Sequence, residues 1–543
     1  MPHVIGSRLP AAYAAAAAAD LGITAVRLQA VRHARYAGHA DPSFYYQLAR
    51  NLAEGRGATV DFVWHFLVTP PAVHHYAPDY WQPLPSLLMA AAMRLTGDSG
   101  LRTALVASVL AGALVPAAAA LLARALSERR LLPPAVAGLT ALVPALSRWS
   151  VQTESATFYA CFVLLALALA CGRGGGPARW PLAGIAAAAA YLCRNDGLVL
   201  VALLGAALAG RVLSALRWDR RRLRDRLAAL GGFGAGVLAT LAPWVVANLR
   251  GMGRPLPPTT RLPFLTSYED TFSVGGHFGA RQLLAGGAGH ALWLRWHTLR
   301  LEARWTLTAV GLLPAAALLA LALAWLALGR RRGPARRDGR FGWPLVAASA
   351  AAVLAFHTLV SPVASSAGAW KRSVVAFVPL VLIAIGQALG ALGGSRLLRG
   401  AVVAALAAQA LPAARAVPAH FVEVDNQAGA APARLRPLLL AAAPARRPVV
   451  MTRSPWELTE ATGFPSVQIP DDGLCTILRT ARRYRVDAIV LPAPRAALRS
   501  GAALRASGFT LVGRGQGSSV YRLPARTGEC ADSDTMPRRR ASP

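Results

Sequence analysis

The sequence predicts a mainly α-helical, polytopic membrane protein with a small α/β domain near its C-terminal end, and three observations carry the prediction. The 543 residues are 55% hydrophobic with a mean hydropathy of +0.41, and the apolar residues fall in long runs, not at the periods of amphipathic soluble elements. Arginines punctuate the ends of those runs, as in RVLSALRWDRRRLRDR and GRRRGPARRDGR. From about residue 446 the pattern changes to short apolar runs alternating with helix-like stretches.

A membrane helix needs about 20 largely apolar residues. By that rule spans are expected near 10–30, 81–97, 101–123, 131–147, 151–172, 180–194, 197–214, 228–249, 304–328, 342–361, 370–393 and 400–416. Several are short, so roughly ten to twelve true crossings are expected. The first is interrupted by Asp20 and Arg27 and has no clear cleavage site, so it reads as a membrane helix more than a signal peptide. Cytoplasmic loops retain arginine. The loops at 124–130, 211–226, 329–340 and 394–399 are therefore placed inside. Alternation puts 148–155, 193–197, 250–303, 361–372 and everything after 417 outside, and leaves the 81–123 hairpin open.

A formal net charge of +33 would suggest nucleic acid in a soluble chain. Placed at the ends of apolar runs, it marks membrane anchors, and no nucleic-acid partner is expected. The single lysine is Lys371, while arginine, alanine, glycine and proline abound. That is the codon bias of a GC-rich genome, so the expected location is a bacterial plasma membrane.

The domain reading is a polytopic region over 1–416 with outer loops at 36–80 and 250–303, a linker over 417–445, an extracytoplasmic α/β domain over 446–526 and a polar, disordered tail over 527–543. In the α/β domain, strand-like VVMT, SVQIP, DAIVLP, FTLVGRG and SSVYRL alternate with helix-like SPWELTEATG and DDGLCTILRTARRYR. It carries no glycine-rich phosphate loop. The five cysteines show no metal-ligand spacing. Cys475 and Cys530 are either a disulfide, in an oxidising compartment, or two unrelated thiols.

The most informative stretch is DPSFYYQLARNLAEGRGATVDFVW, beginning at Asp41. A helix is expected from Pro42 to Glu54, since an aspartate followed by proline is a helix-start signal. With its aspartate, paired tyrosines, Asn-Leu and Gly-x-Gly, this stretch resembles the first extracytoplasmic loop of GT-C fold glycosyltransferases. That superfamily includes the protein O-mannosyltransferases and the aminoarabinose transferases. The resemblance continues, in the family's order, through YWQPLPSLLMAAAMRLTG at 80–97, TESATFYACFVLLALAL at 153–169, YLCRNDGLVLVALL at 191–204 and AWKRSVVAFVPLVLI at 369–383.

The resemblance implies metal-independent, inverting transfer of a sugar, with mannose expected, from a polyprenyl-phosphate carrier. It needs no cofactor beyond that lipid-linked donor, and the acceptor is a glycan or lipid, a protein, or a natural product. Asp41 matches the family's acidic base, which takes the acceptor hydroxyl's proton as an oxocarbenium-like centre develops; its alternative role is an N-cap. Many relatives have a second acidic residue next, where this chain has Pro42. Arg372 and Lys371 match a phosphate-binding position, the alternative being interfacial snorkelling. Arg194 with Asp196 is either a donor contact or a structural ion pair. Glu154 would orient substrate or cap a helix. Tyr45, Tyr46, Trp64, Tyr80 and Trp81 would stack on sugar or isoprenoid, or form an interfacial belt. His65, His74, His75 and His277 fit no metal motif and read as surface or acceptor-groove residues. A transporter or lipid flippase is the alternative function, but no internal repeat is seen and the polar candidates lie at one face. A scaffold whose C-terminal domain binds partners leaves the Asp41 loop unused.

Overall fold

The computed structural model describes residues 2–172, 176–218, 222–257, 262–274, 276, 278–310, 342–391, 396–444, 447–492 and 508–523. The chain divides into two compact units, one made of 1–34, 81–257 and 289–423, the other of 35–80, 258–288 and 424–543.

The first unit is helical. Among the described residues six helices are long and apolar enough to cross a membrane, or seven if a bent pair counts as one span. The protein is a multi-pass membrane protein, and among the described residues the expected ten to twelve crossings are not confirmed. The reason is length. Helices Leu84–Thr96, Leu132–Ala141 and Ala156–Cys171 are apolar yet no longer than 17 residues, and at 1.5 Å per residue they fall short of a core about 30 Å thick. The segment read as one span over 370–393 is broken: Ala369–Ala376 and Val378–Leu389 meet at 41°. The 304–328 span falls mostly outside the described residues.

The N-terminal helix Pro2–Val31 belongs to this packing. Its Arg27 is fully buried, and the guanidinium donates to Ala141 O at 3.0 Å and to Ser147 Oγ at 3.2 Å, so neighbouring helices take up part of its hydrogen-bonding capacity. Helices Arg179–Cys193 and Leu223–Met252 touch backbone to backbone. A Cβ on Gly184 would sit 2.1 Å from Phe233 O, and one on Gly236 would sit 2.1 Å from Pro181 O. Small residues permit this approach. Gly184→Ala is therefore expected to destabilise the protein by about 1–3 kcal/mol through overpacking, read as a lower melting temperature in detergent; an unchanged melt would show that the helices part easily.

Among the described residues the second unit has eight strands: β1 Thr59–Val60, β2 Phe62–Val63, β3 His75–Tyr76, β4 Val450–Thr452, β5 Ser466–Gln468, β6 Ala488–Pro492, β7 Thr510–Gly515 and β8 Ser518–Arg522. Six form a sheet in the order β2-β5-β4-β6-β8-β7, parallel from β2 to β6 and antiparallel beyond. β1 and β3 pair separately. Side chains alternate across the sheet. Met451, Val467, Ile489 and Tyr521 pack with Ile477 and Ala481 of helix Leu474–Arg483, while Val450, Ala488, Val490 and Val520 pack with Leu435, Leu439 and Leu458. A parallel sheet is covered on both faces in this way.

Three sequence expectations change here. Residues 417–445, read as a linker, are helical through Arg396–Arg434 and Arg436–Ala442, and their leucines complete the core of the sheet. The first outer loop is no separate loop either. Its β2 pairs with β5, Phe62 opposite Ser466 and Val63 opposite Val467, so 35–80 folds as part of the α/β domain. The second outer loop, read as 250–303, is shorter, because helices Leu223–Met252 and Gly287–Val310 enclose it.

Candidate active site

The first unit gathers five of the expected site residues, Glu154, Arg194, Asp196, Lys371 and Arg372, in one polar network. Ala369–Ser373 is a short helix opened by Gly368 at φ +106, a backbone setting that favours glycine. It presents Lys371, Arg372 and Ser373 in succession. Arg372 Nε donates to Glu154 Oε1 at 2.5 Å, and Glu154, fully buried, also accepts from Ser155 N at 2.8 Å. Arg372 thus turns a buried carboxylate into half of an ion pair.

Arg194 follows helix Arg179–Cys193 in extended backbone. Its Nε donates to Asp196 Oδ1 and Ser373 Oγ at 3.2 Å, Nη1 to Ser155 Oγ at 3.2 Å, and Nη2 to Ala369 O at 3.0 Å. All three nitrogens brace protein groups. Asp196 Oδ2 accepts from Ser373 Oγ at 2.5 Å and lies 3.2 Å from His357 Nε2. His357 comes from a π-helical turn, Phe356–Val360, the kind of helix irregularity often found at functional sites. Sequence reading missed His357, because it sits within an apolar run and only the π turn brings it to Asp196.

A second missed residue is Arg148. Its guanidinium lies 4.4 Å from the Trp149 ring, with Arg372 at 5.4 Å and the Lys371 ammonium at 6.0 Å from the same ring. Lys371 also lies in the fields of Arg148, Arg372 and Glu154. The signal was present as Arg-Trp just before the TESATFY motif. Four cations here, Arg148, Arg194, Lys371 and Arg372, meet two carboxylates, Glu154 and Asp196. Cations gathered about one indole in this way suit an anion.

Asp41 lies in the second unit, half-buried in the first turn of helix Ala40–Ala53. That helix starts two residues before the expected Pro42. His39, not Asp41, occupies the N-cap, so the capping alternative for Asp41 is corrected. A carboxylate in the first turn still faces the positive end of the helix. Tyr45, Tyr46, Trp64 and Tyr80 are between 2% and 7% exposed. Expected to stack on substrate or line the interface, they are buried instead; Trp64 meets Tyr80 and Trp456 edge to face at 4.6 and 5.8 Å.

The histidines also need correction. His65 is buried and His75 half-buried; they share Asp79 at 3.4 and 3.5 Å, while His74 pairs with Asp61 at 2.8 Å. Burial alone would raise the Asp79 carboxyl, but the two histidines hold it well below the usual carboxylate range. His277 and Cys530 lie outside the described residues. Among the described residues no group of three His, Cys, Asp or Glu is placed to hold a metal ion.

No protein-family model and no curated protein sequence matches the chain. Solved structures do. ArnT from Cupriavidus metallidurans in the apo state is similar at a TM-score of 0.55 and 14% identity, over 92% of this chain and 96% of that one. ArnT from the same organism bound to undecaprenyl phosphate is similar at a TM-score of 0.55 and 15% identity, over 93% and 97%. The chain has the GT-C fold. At such identity the likeness is one of architecture, and it extends over nearly the full length of both chains. Within this GT-C chain, the motifs at 153–169, 191–204 and 369–383 converge on one network, through Glu154, Arg194 with Asp196, and Lys371 with Arg372.

Proposed function

We propose that this GT-C protein is a glycosyltransferase that takes a sugar from a polyprenyl-phosphate donor and passes it to an acceptor at the extracytoplasmic face, with inversion and without a metal. The observation that carries the reading is the gathering of Arg148, Lys371 and Arg372 around the Trp149 ring. As the bond between the anomeric carbon and the phosphate oxygen breaks, the lipid phosphate gains a second negative charge. Arg372, Lys371 and Arg148 are the groups assigned to it, and cations that meet charge developing in the transition state accelerate the step. Asp41 is assigned to take the acceptor hydroxyl's proton as the new carbon–oxygen bond forms. Arg194, Glu154, Asp196 and His357 hold the cations in place. Mannose is the expected sugar, and a glycan, protein or natural product the expected acceptor.

The test is sugar transfer by purified protein in lipid, with a panel of polyprenyl-phosphate sugars and crude envelope extract as acceptor. One donor should be consumed, and Arg372→Ala should lower kcat/KM for it by about ten- to a hundredfold, the worth of a charged hydrogen bond. If no donor is consumed while labelled lipid crosses the bilayer, the protein is a flippase.

A further inference from the structure

The segment that leads into the Asp41 helix is held by side chains from the far end of the chain. Asn426 Oδ1 accepts the backbone N–H of Arg35 at 2.7 Å. Gly38, at φ +94, leaves no room for a Cβ, which would meet Asp425 Oδ1 at 2.2 Å. Glu460, on helix Pro455–Thr462, accepts the N–H of Ala37 on Oε1 at 2.6 Å, and its Oε2 lies 2.6 Å from Ser43 Oγ. The same Ser43 Oγ lies 2.9 Å from Gly38 O.

The hydroxyl of Ser43 has one proton and two oxygens within reach, and that decides the chemistry. If Glu460 is ionised, the proton serves either the carboxylate or Gly38 O, and the other contact goes unmade. If Glu460 carries a proton, it donates to Ser43 Oγ, Ser43 donates to Gly38 O, and every group is satisfied. We propose that Glu460 is a positioning residue for the Asp41 turn, acting as a neutral carboxylic acid that donates to Ser43 while accepting the Ala37 amide. The link to catalysis rests on the reading of Asp41 as the base; the clamp itself does not.

The charged and titratable surroundings agree. Burial pushes the Glu460 carboxyl up to about 7, and Glu457 on its own helix adds to the rise, while Ser43, Ala37 and Arg50 act against it. Tyr46 on the Asp41 helix lies within the field of Glu460, His39 pairs with Glu457 at 3.5 Å, and Asp425 stands against Gly38. A carboxyl raised in the folded state stabilises as the acid. Its contribution is complete below about 4.5 and is lost as the pH rises through about 7.

Hydrogen exchange of the full-length protein in lipid nanodiscs, followed by mass spectrometry on peptides covering 35–44, tests the clamp without any substrate. After correction for intrinsic rates, wild-type protection should fall about tenfold between pH 6 and pH 8.5. Glu460→Gln, a neutral isostere whose amide donates to Ser43 and whose carbonyl accepts from Ala37, should stay protected at both values. Glu460→Ala should be unprotected at both. Equal pH dependence in wild type and Glu460→Gln, or full protection in Glu460→Ala, overturns the proposal, as does a Gln variant as open as the Ala variant. In transfer assays with undecaprenyl-phosphate mannose, kcat of the wild type should fall over the same range and that of Glu460→Gln should not, with KM for the donor unchanged in both. Asp41→Asn tests the base separately, so the two failures are distinguishable.

Discussion

Asp41→Asn protein in proteoliposomes is expected to transfer sugar about 10²–10⁴ times more slowly than wild type, the usual cost of losing a general base. The substitution keeps the size and shape of the side chain. It removes only the charge at the first turn of helix Ala40–Ala53, where the dipole contribution is about 0.3–1 kcal/mol, and His39 remains the N-cap. The variant should therefore fold, keep its melting temperature within a few degrees and bind donor with unchanged KM. A kcat loss with KM preserved marks a group that acts in the transition state. Full turnover in a folded variant would leave Asp41 a helix-end charge and nothing more.

The second large effect concerns stability. Asp196 is 1% exposed and is hydrogen-bonded to Arg194, Ser373 and His357. Asp196→Ala strands the Arg194 guanidinium, and breaking a buried pair by removing one partner costs about 3–5 kcal/mol. The expected result is poor recovery from detergent and a melting temperature lowered by several degrees in thermal size-exclusion assays. Removing both charges, as Arg194→Met with Asp196→Leu, should recover a large part of that loss, since no unpaired charge remains. If the single variant melts like wild type, water reaches Arg194 and the network is less enclosed than its burial indicates.

Elements were legible where local pattern and tertiary packing agree. The Asp41 helix was announced by its first-turn aspartate and proline, and the strands from Val450 to Arg522 by β-branched runs bounded by glycine, proline and aspartate. β2 was not legible. It is two residues long, lies in an aromatic loop and exists because Ser466 and Val467 present an open edge to it. Hydropathy found the apolar runs but not their breaks at Phe377 or between Ala141 and Pro144, where helices end for packing reasons. In the site, Glu154 and Arg372 were each visible as charges near helix ends, whereas their pairing joins positions far apart in sequence. The tyrosines misled because an aromatic side chain in an outer segment looks the same whether it meets a sugar or fills a core.

The sheet also carries a topological consequence. Residues 62–63 bond to 466–467, Phe66 N donates to Thr271 O, and Asp471 N donates to Phe272 O, so three stretches of chain close backbone hydrogen bonds with one another. Such bonds cannot be made through a bilayer. Residues 62–66, 271–272 and 466–471 therefore lie on a single side, and the chain between consecutive ones must return to the side it left. An even number of crossings lies between 66 and 271, and an even number between 272 and 466, whichever helices make them. A reporter inserted near residue 66, 272 or 470 should read the same compartment, and the turn that carries Asp41 must wait for Asp425, Asn426 and Glu460 to be made before its surroundings exist.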